Sequence, residues 1–197
     1  MYRADKGLAF MLQYENIAWY EEGKVKILDR RIYPTKVEFV ECTSHVEVAQ
    51  AITDMVTQSA GPYTAVPMGM ALAAYECRGK SAAEQMEYLK AAAETIHNAR
   101  PTTKKRMALL TESCLEEAER ALAAGEDVSE AIVKLTIALN NKRYDKIAAI
   151  AKHLATQSDQ ISISFLVYPT TVALPVVPDD ACILTMSECG AAKSPKG

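Results

Sequence analysis

The chain has no basic stripe, no long apolar run and no cysteines at metal-ligand spacing, and each absence removes a class of function. Its net charge is −3 over 197 residues, with both signs interspersed, so no row of Lys and Arg is available to neutralise the phosphates of a nucleic acid. Nucleic acid is not expected as a partner. No apolar segment approaches the roughly 18–20 residues that span a bilayer, and the stretch Met1 to Lys6 is too polar for a secretory signal. No membrane association and a cytosolic location are therefore expected. The five cysteines are odd in number and form no C-x-x-C pair, and no histidine cluster at zinc spacing accompanies them, so reduced thiols and no metal are expected. Internal repeats and low-complexity tracts are also missing.

What is present is an ordinary globular balance, with 49% hydrophobic and 24% charged residues, enough to bury a core. Between Tyr14 and Val40 apolar residues alternate around Glu21-Glu22-Gly23-Lys24 and Pro34, which predicts a small antiparallel sheet of about three strands. The period then lengthens. Ser44 and Glu47 have capping-box spacing, and Val48, Ile52, Met55 and Val56 mark a helical face over roughly 45–57. A loop is predicted at Gln58 to Tyr63, then an Ala-rich helix from Pro67 to Cys77, buried on most sides and closed by Arg78-Gly79.

Ser81 and Glu84 form a second capping box, followed by Met86, Leu89, Ala93 and Ile96, until Arg100-Pro101 stops the helix. Met107, Leu110, Cys114, Ala118 and Leu122 predict the next helix, ending at Gly125. Two more are expected: one capped by Asp127 or Ser129 and carrying Ile132, Leu135 and Leu139, the other carrying Ile147, Ile150 and Leu154. Six helices in succession imply a bundle. Cys42, Cys77 and Cys114 sit among small or apolar neighbours, as core cysteines do. From about Ser158 the composition shifts to alternating Ile161, Ile163, Phe165 and Val167 with prolines, and then to a short apolar run at Ala181 to Thr185 that predicts a buried strand. The fold class expected is α+β, mainly α, with 1–157 as sheet plus helical domain and 158–197 as the start of a second domain.

Three segments have chemical potential. The turn at Gln58 to Tyr63 precedes a helix, whose free N–H groups suit an anion, although the turn holds no cation and a plain Gly-Pro turn accounts for the same residues. Arg100 stands at the mouth of a new helix, a good arrangement for phosphate and equally one for a solvated junction arginine. Ile183 to Gly190 runs a strand into Ser187, Glu188 and Cys189, the place where a site would lie at the carboxyl end of a sheet strand.

In this order the segments resemble methylthioribose-1-phosphate isomerase and its relatives, the ribose-1,5-bisphosphate isomerases and the regulatory alpha, beta and delta subunits of the translation-initiation guanine-nucleotide exchange factor. The resemblance is carried by Lys26 to Arg31 with Pro34, by Val48 to Val56, by Gly69 to Ala74, by Arg100-Pro101-Thr102 and by Pro178 to Thr185, and it covers about residues 19–190. It implies a sheet and helical domain followed by a Rossmann-like domain, and aldose-to-ketose isomerisation of a sugar 1-phosphate with neither metal nor cofactor. Arg100, Gln58 and Ser59 are the implied phosphate contacts, and Cys189 and Ser187 the implied catalytic positions.

The chain departs from that pattern in several places. Where the family reads Arg-Gly-Ala-Pro, this chain reads Gln58-Ser59-Ala60-Gly61, so one cation is missing, and a charge-assisted contact is worth roughly 1.5–3 kcal/mol. Ser187 occupies the position of the family's cysteine, and the thiol falls two residues later at Cys189. The segment Ser158 to Thr171 looks like an insertion. The chain stops before the family's aspartate, so its own acid-base partner is not expected. These features imply either a sugar-phosphate isomerase relative with weak or lost activity or a non-catalytic regulatory protein that works with a homo-oligomeric or protein partner. A third reading is a shortened product that self-associates through bundle faces left uncovered.

Overall fold

A computed structural model describes residues 10–157. The second domain expected at 158–197, with Ser187, Cys189, the segment 158–171 and the strand at 181–185, lies outside the described residues.

Two short 3₁₀ turns, Phe10–Leu12 and Tyr14–Asn16, lead into the sheet. Its strands β1 (Ala18–Glu21), β2 (Lys24–Leu28) and β3 (Phe39–Cys42) run antiparallel in the order β1-β2-β3, with Ala18 opposite Ile27 and Val25 opposite Cys42. Glu22 and Gly23 both take positive φ, 49° and 78°, the geometry that a two-residue hairpin needs to match strand twist. Gly23 is also required for space, because a Cβ there would lie 2.4 Å from Cε1 of Tyr75. The inner face presents Ala18, Val25, Ile27 and Cys42, all essentially inaccessible to solvent.

Helix α1 (His45–Thr53) starts at Ser44, whose hydroxyl accepts from the Glu47 N–H at 3.2 Å. In the reciprocal half of the box the Glu47 carboxylate accepts chiefly from Thr43 N–H, at 2.6 Å, one residue before the cap. The helix is shorter than expected. Met55 enters the left-handed region (φ 60°) and the Val56 N–H closes onto Ala51 O at 2.9 Å, the six-to-one bond of a Schellman end, made here without glycine.

Helix α2 (Pro62–Glu76) begins five residues before the expected Pro67. Pro62 takes the first turn, where its missing N–H costs nothing, and Pro67 lies inside the helix. Twelve of the fifteen residues are buried, among them Met68, Met70 and Leu72, because the helix runs through the middle of the bundle, packed on the sheet and on every other helix. A side chain at Gly69 would meet Val48 Cγ1 at 2.9 Å and Ile96 Cδ1 at 3.2 Å. That glycine sets how closely α1 and the next helix approach.

Helix α3 (Ala82–Asn98) carries the complete Ser81–Glu84 capping box and buries Leu89, Ala92, Ala93 and Ile96. A 3₁₀ turn, Pro101–Thr103, joins it to α4 (Lys104–Ala124), which buries Met107, Thr111, Cys114, Ala118 and Ala121 and ends at Gly125 in the left-handed conformation. The last two expected helices are one. α5 (Val128–Gln157) runs for 30 residues, capped by the Asp127 carboxylate, which accepts from Glu130 N–H at 2.8 Å. Asn140-Asn141-Lys142 offers no glycine or proline, and asparagine costs only a few tenths of a kcal/mol in a helix interior, so nothing interrupts it. The described residues are thus mainly helical with one small antiparallel sheet, the class expected.

Candidate functional site

Both ends of α2 gather polar side chains. At its carboxyl end Glu76 binds the start of α1 and the body of α3. One carboxylate oxygen accepts from the His45 N–H at 2.9 Å, and the other lies 2.5 Å from His45 Nδ1 and accepts from the Tyr88 hydroxyl at 2.9 Å. The imidazole also meets the Tyr88 ring edge-on at 5.5 Å. Burial, and after it the Glu76 carboxylate, push the Tyr88 hydroxyl up to about 12. Each donor here has an acceptor, so the group is a structural clasp.

The amino end is built differently. A turn at Gln58 to Gly61 closes with Gly61 N–H on Gln58 O at 2.8 Å, and Ser59 sits at its second position with φ 53°. Gly61 has ordinary helical φ but no room: a Cβ would stand 2.0 Å from Thr57 Oγ1 and 3.1 Å from Gln58 O. Beside the turn lies a pocket of about 100 Å³, walled by Met11, Ile17, Leu28 and Ile147 and by the turn itself. Two arginines from distant parts of the chain reach it, Arg30 just beyond β2 and Arg143 on α5. Among the described residues no carboxylate lines it.

Neither guanidinium is neutralised among the described residues. Arg31, next in sequence, is taken by Asp29 through two bonds of 2.8 and 2.6 Å, which hold that carboxyl below its usual range. Arg30 instead rests over the Tyr33 ring at 5.5 Å, and its Nε is buried with no acceptor. Arg143 stacks over Tyr63 at 4.9 Å, and the Tyr63 hydroxyl accepts from Arg106 at 3.0 Å. Such stacking orients a guanidinium while leaving its N–H fork available.

The residues singled out from sequence do not assemble into one site. Gln58 lines the pocket, its amide donating to Met55 O at 3.2 Å. Ser59 is exposed and does not line it. Arg100, half-buried at the start of the Pro101–Thr103 turn, does not line it either, and its guanidinium makes no hydrogen bond or ion pair among the described residues. Arg30 and Arg143 were not singled out, because the cations of this site are brought to the turn by the fold and are absent from it in sequence. The expected break between two final helices also hid that Arg143 follows the buried Asn140 by less than one turn. One signal was legible: in Asp29-Arg30-Arg31 the carboxylate can neutralise only one of its two neighbours.

The three cysteines in the described region are not nucleophiles. Cys42, Cys77 and Cys114 are free and buried. Desolvation pushes Cys42 up to about 11 and Cys114 to about 12, and it raises Cys77 as well, so none is a thiolate near neutral pH. Among the described residues no cluster of His, Cys, Asp or Glu is placed to hold a metal ion, and no helix is long and apolar enough to cross a membrane.

No protein-family model matches the chain. A methylthioribose-1-phosphate isomerase of Roseiflexus castenholzii is 33% identical over 110 residues, which are 54% of this chain and 31% of that protein. Among solved structures, the 5-methylthioribose 1-phosphate isomerase of Pyrococcus horikoshii OT3 superposes with a TM-score of 0.53 at 22% identity, over 65% of this chain and 38% of its own. The delta subunit of translation initiation factor eIF-2B from A. fulgidus does so with a TM-score of 0.50 at 27% identity, over 66% and 36%. The match thus spans about a third of the length of these relatives. Over about half of its length, the chain is a homologue of proteins named methylthioribose-1-phosphate isomerase, and its described residues have the fold they share with the delta subunit of translation initiation factor eIF-2B.

Proposed function

We propose that the chain binds a sugar phosphate as a relative of the methylthioribose-1-phosphate isomerases, with isomerase turnover weak or lost, and that it does so in the cytosol. One observation carries this reading: the pocket at the Gln58–Gly61 turn is positively charged, in the domain that the isomerases share with this chain. The turn itself supplies an amide at Gln58 where the family has an arginine. Residues 158–197 are read as the entry to a Rossmann-like domain that brings Ser187 and Cys189, with the thiol displaced from the family's position. A displacement of about 1 Å can cost on the order of a hundredfold in rate, which is why binding is proposed to outlast turnover. Arg100 is read as a second phosphate contact, at the head of its own turn.

Titration of the purified chain with methylthioribose 1-phosphate, with the ketose product followed by NMR, tests this. The outcome expected is saturable binding with turnover far below that of a full-length isomerase; no binding overturns it.

The likeness to the delta subunit of eIF-2B supports a second reading, in which the bundle is a non-catalytic module that works by contact with a homo-oligomeric or other protein partner. Light scattering that gives a monomer, together with a pull-down that returns nothing, overturns that one.

A further inference from the structure

Arg30 and Arg143 have what an anion site needs and lack what a structural ion pair has. Both line the pocket beside the Gln58–Gly61 turn, to which no described residue brings a carboxylate. Neither guanidinium donates a hydrogen bond to any described residue, and the Arg30 Nε is buried without an acceptor. A buried donor on a charged group is strongly unfavourable when unpaired, so the Arg30 Nε is open to an acceptor that binds beside it. The protein as a whole has a net charge of −3, which makes a pocket with two cations and no anion a local exception.

We propose that Arg30 and Arg143, together with the Gln58 amide, form an anion site that holds the phosphate of a small phosphate monoester. Two guanidiniums arriving from different elements suit a tetrahedral dianion, which accepts from both forks, better than a planar carboxylate, which one fork saturates. The pocket volume of about 100 Å³ admits a phosphate head, whereas drug-sized ligands need roughly 300–1,000 Å³. The rest of the ligand therefore projects outward past the apolar wall formed by Met11, Ile17 and Ile147. Tyr63 is a positioning residue, held at its hydroxyl by Arg106 and stacked under Arg143. The assignment deepens the sugar-phosphate reading by naming its phosphate-binding side chains, and it depends on that reading only for the identity of the sugar.

The test is calorimetric titration of the full chain with inorganic phosphate at constant ionic strength, with acetate as the comparison anion. Saturable phosphate binding is expected. Arg143→Gln should weaken it by about tenfold or more, the usual loss for one charge-assisted contact. Arg30→Lys keeps the charge and removes the Nε donor, so it should weaken binding several-fold, and it serves in place of Arg30→Gln if that variant does not fold. Arg78→Gln, at the other end of α2 and stacked on Tyr75, should bind as the native chain does. Acetate binding as tightly as phosphate, or native affinity in both Arg143→Gln and Arg30→Lys, overturns the assignment. The two proposals fail separately. If methylthioribose 1-phosphate binds and neither variant weakens it, this site is wrong and the function stands. If phosphate binds through the two arginines and the sugar phosphate binds no more tightly than phosphate, this site stands and the sugar is wrong.

Discussion

The two ends of α2 use similar side chains to opposite effect. At the carboxyl end Glu76 is shared by His45 and Tyr88, and each donor facing it is satisfied. At the amino end two arginines face a pocket that holds no carboxylate among the described residues, and they rest on aromatic rings rather than in ion pairs there. The helix between them is buried almost throughout, so the difference does not come from packing. It comes from whether the polar groups were completed by the chain. A closed network fixes elements to one another, and an open one leaves donors to offer a ligand.

The closed end should break most severely. Glu76→Ala removes the shared acceptor and leaves His45 N–H and the Tyr88 hydroxyl in half-buried positions, a loss of about 3 kcal/mol, to be read from urea unfolding. A loss below about 0.5 kcal/mol would mean that the clasp holds nothing together.

Gly61→Ala tests the frame of the open end. The new methyl meets Thr57 Oγ1 at 2.0 Å, and Thr57 is buried and has little room to retreat. Overpacking of this kind costs about 1–3 kcal/mol, and the displaced turn should lower phosphate affinity along with the unfolding midpoint.

Acid separates the two kinds of site more gently. Asp29 is held below the usual carboxylate range by Arg31, Glu47 by Thr43, Glu84 by Ser81 and Glu126 by Arg120. A depressed folded-state pKa contributes stability above the unfolded value, and that stability is lost as pH falls through the folded value. Unfolding midpoints should therefore be level from neutrality down to about pH 5 and decline below about pH 4.

The smallest effect on stability should come from Arg143→Gln, which breaks no hydrogen bond. Its unfolding free energy should stay within about 0.5 kcal/mol of native while phosphate affinity falls, the reverse of the Glu76→Ala pattern.

How much of this was readable in sequence follows the range of the interactions. The Ser81–Glu84 box, the Gly125 stop and the buried character of α2 are set by neighbours within a turn or two, and they were legible. Helix starts were less so: Pro62 and Pro67 both offer a plausible first turn, and only the bundle's demand for a longer buried helix selects the earlier one. The continuity of α5 was not legible because its apolar residues fall in two sets, Ile132 to Leu139 and Ile147 to Leu154, whereas the polar Asn140 between them is buried beside Thr64 in the fold. The candidate site was least legible. Arg30 and Arg143 are 113 positions apart in sequence and line one pocket only in the folded chain. The catalytic positions expected at Ser187 and Cys189 lie outside the described residues.

Completion of the amino end of α2 by a phosphate is tested most directly by ligand-linked thermal unfolding. Melting the full chain in rising inorganic phosphate at constant ionic strength should raise Tm by roughly 5–10 °C once phosphate reaches about a hundredfold excess over its Kd. The Arg30→Lys, Arg143→Gln double variant should show no such rise. A native Tm that does not respond to phosphate, or an equal rise in the double variant, would contradict the account.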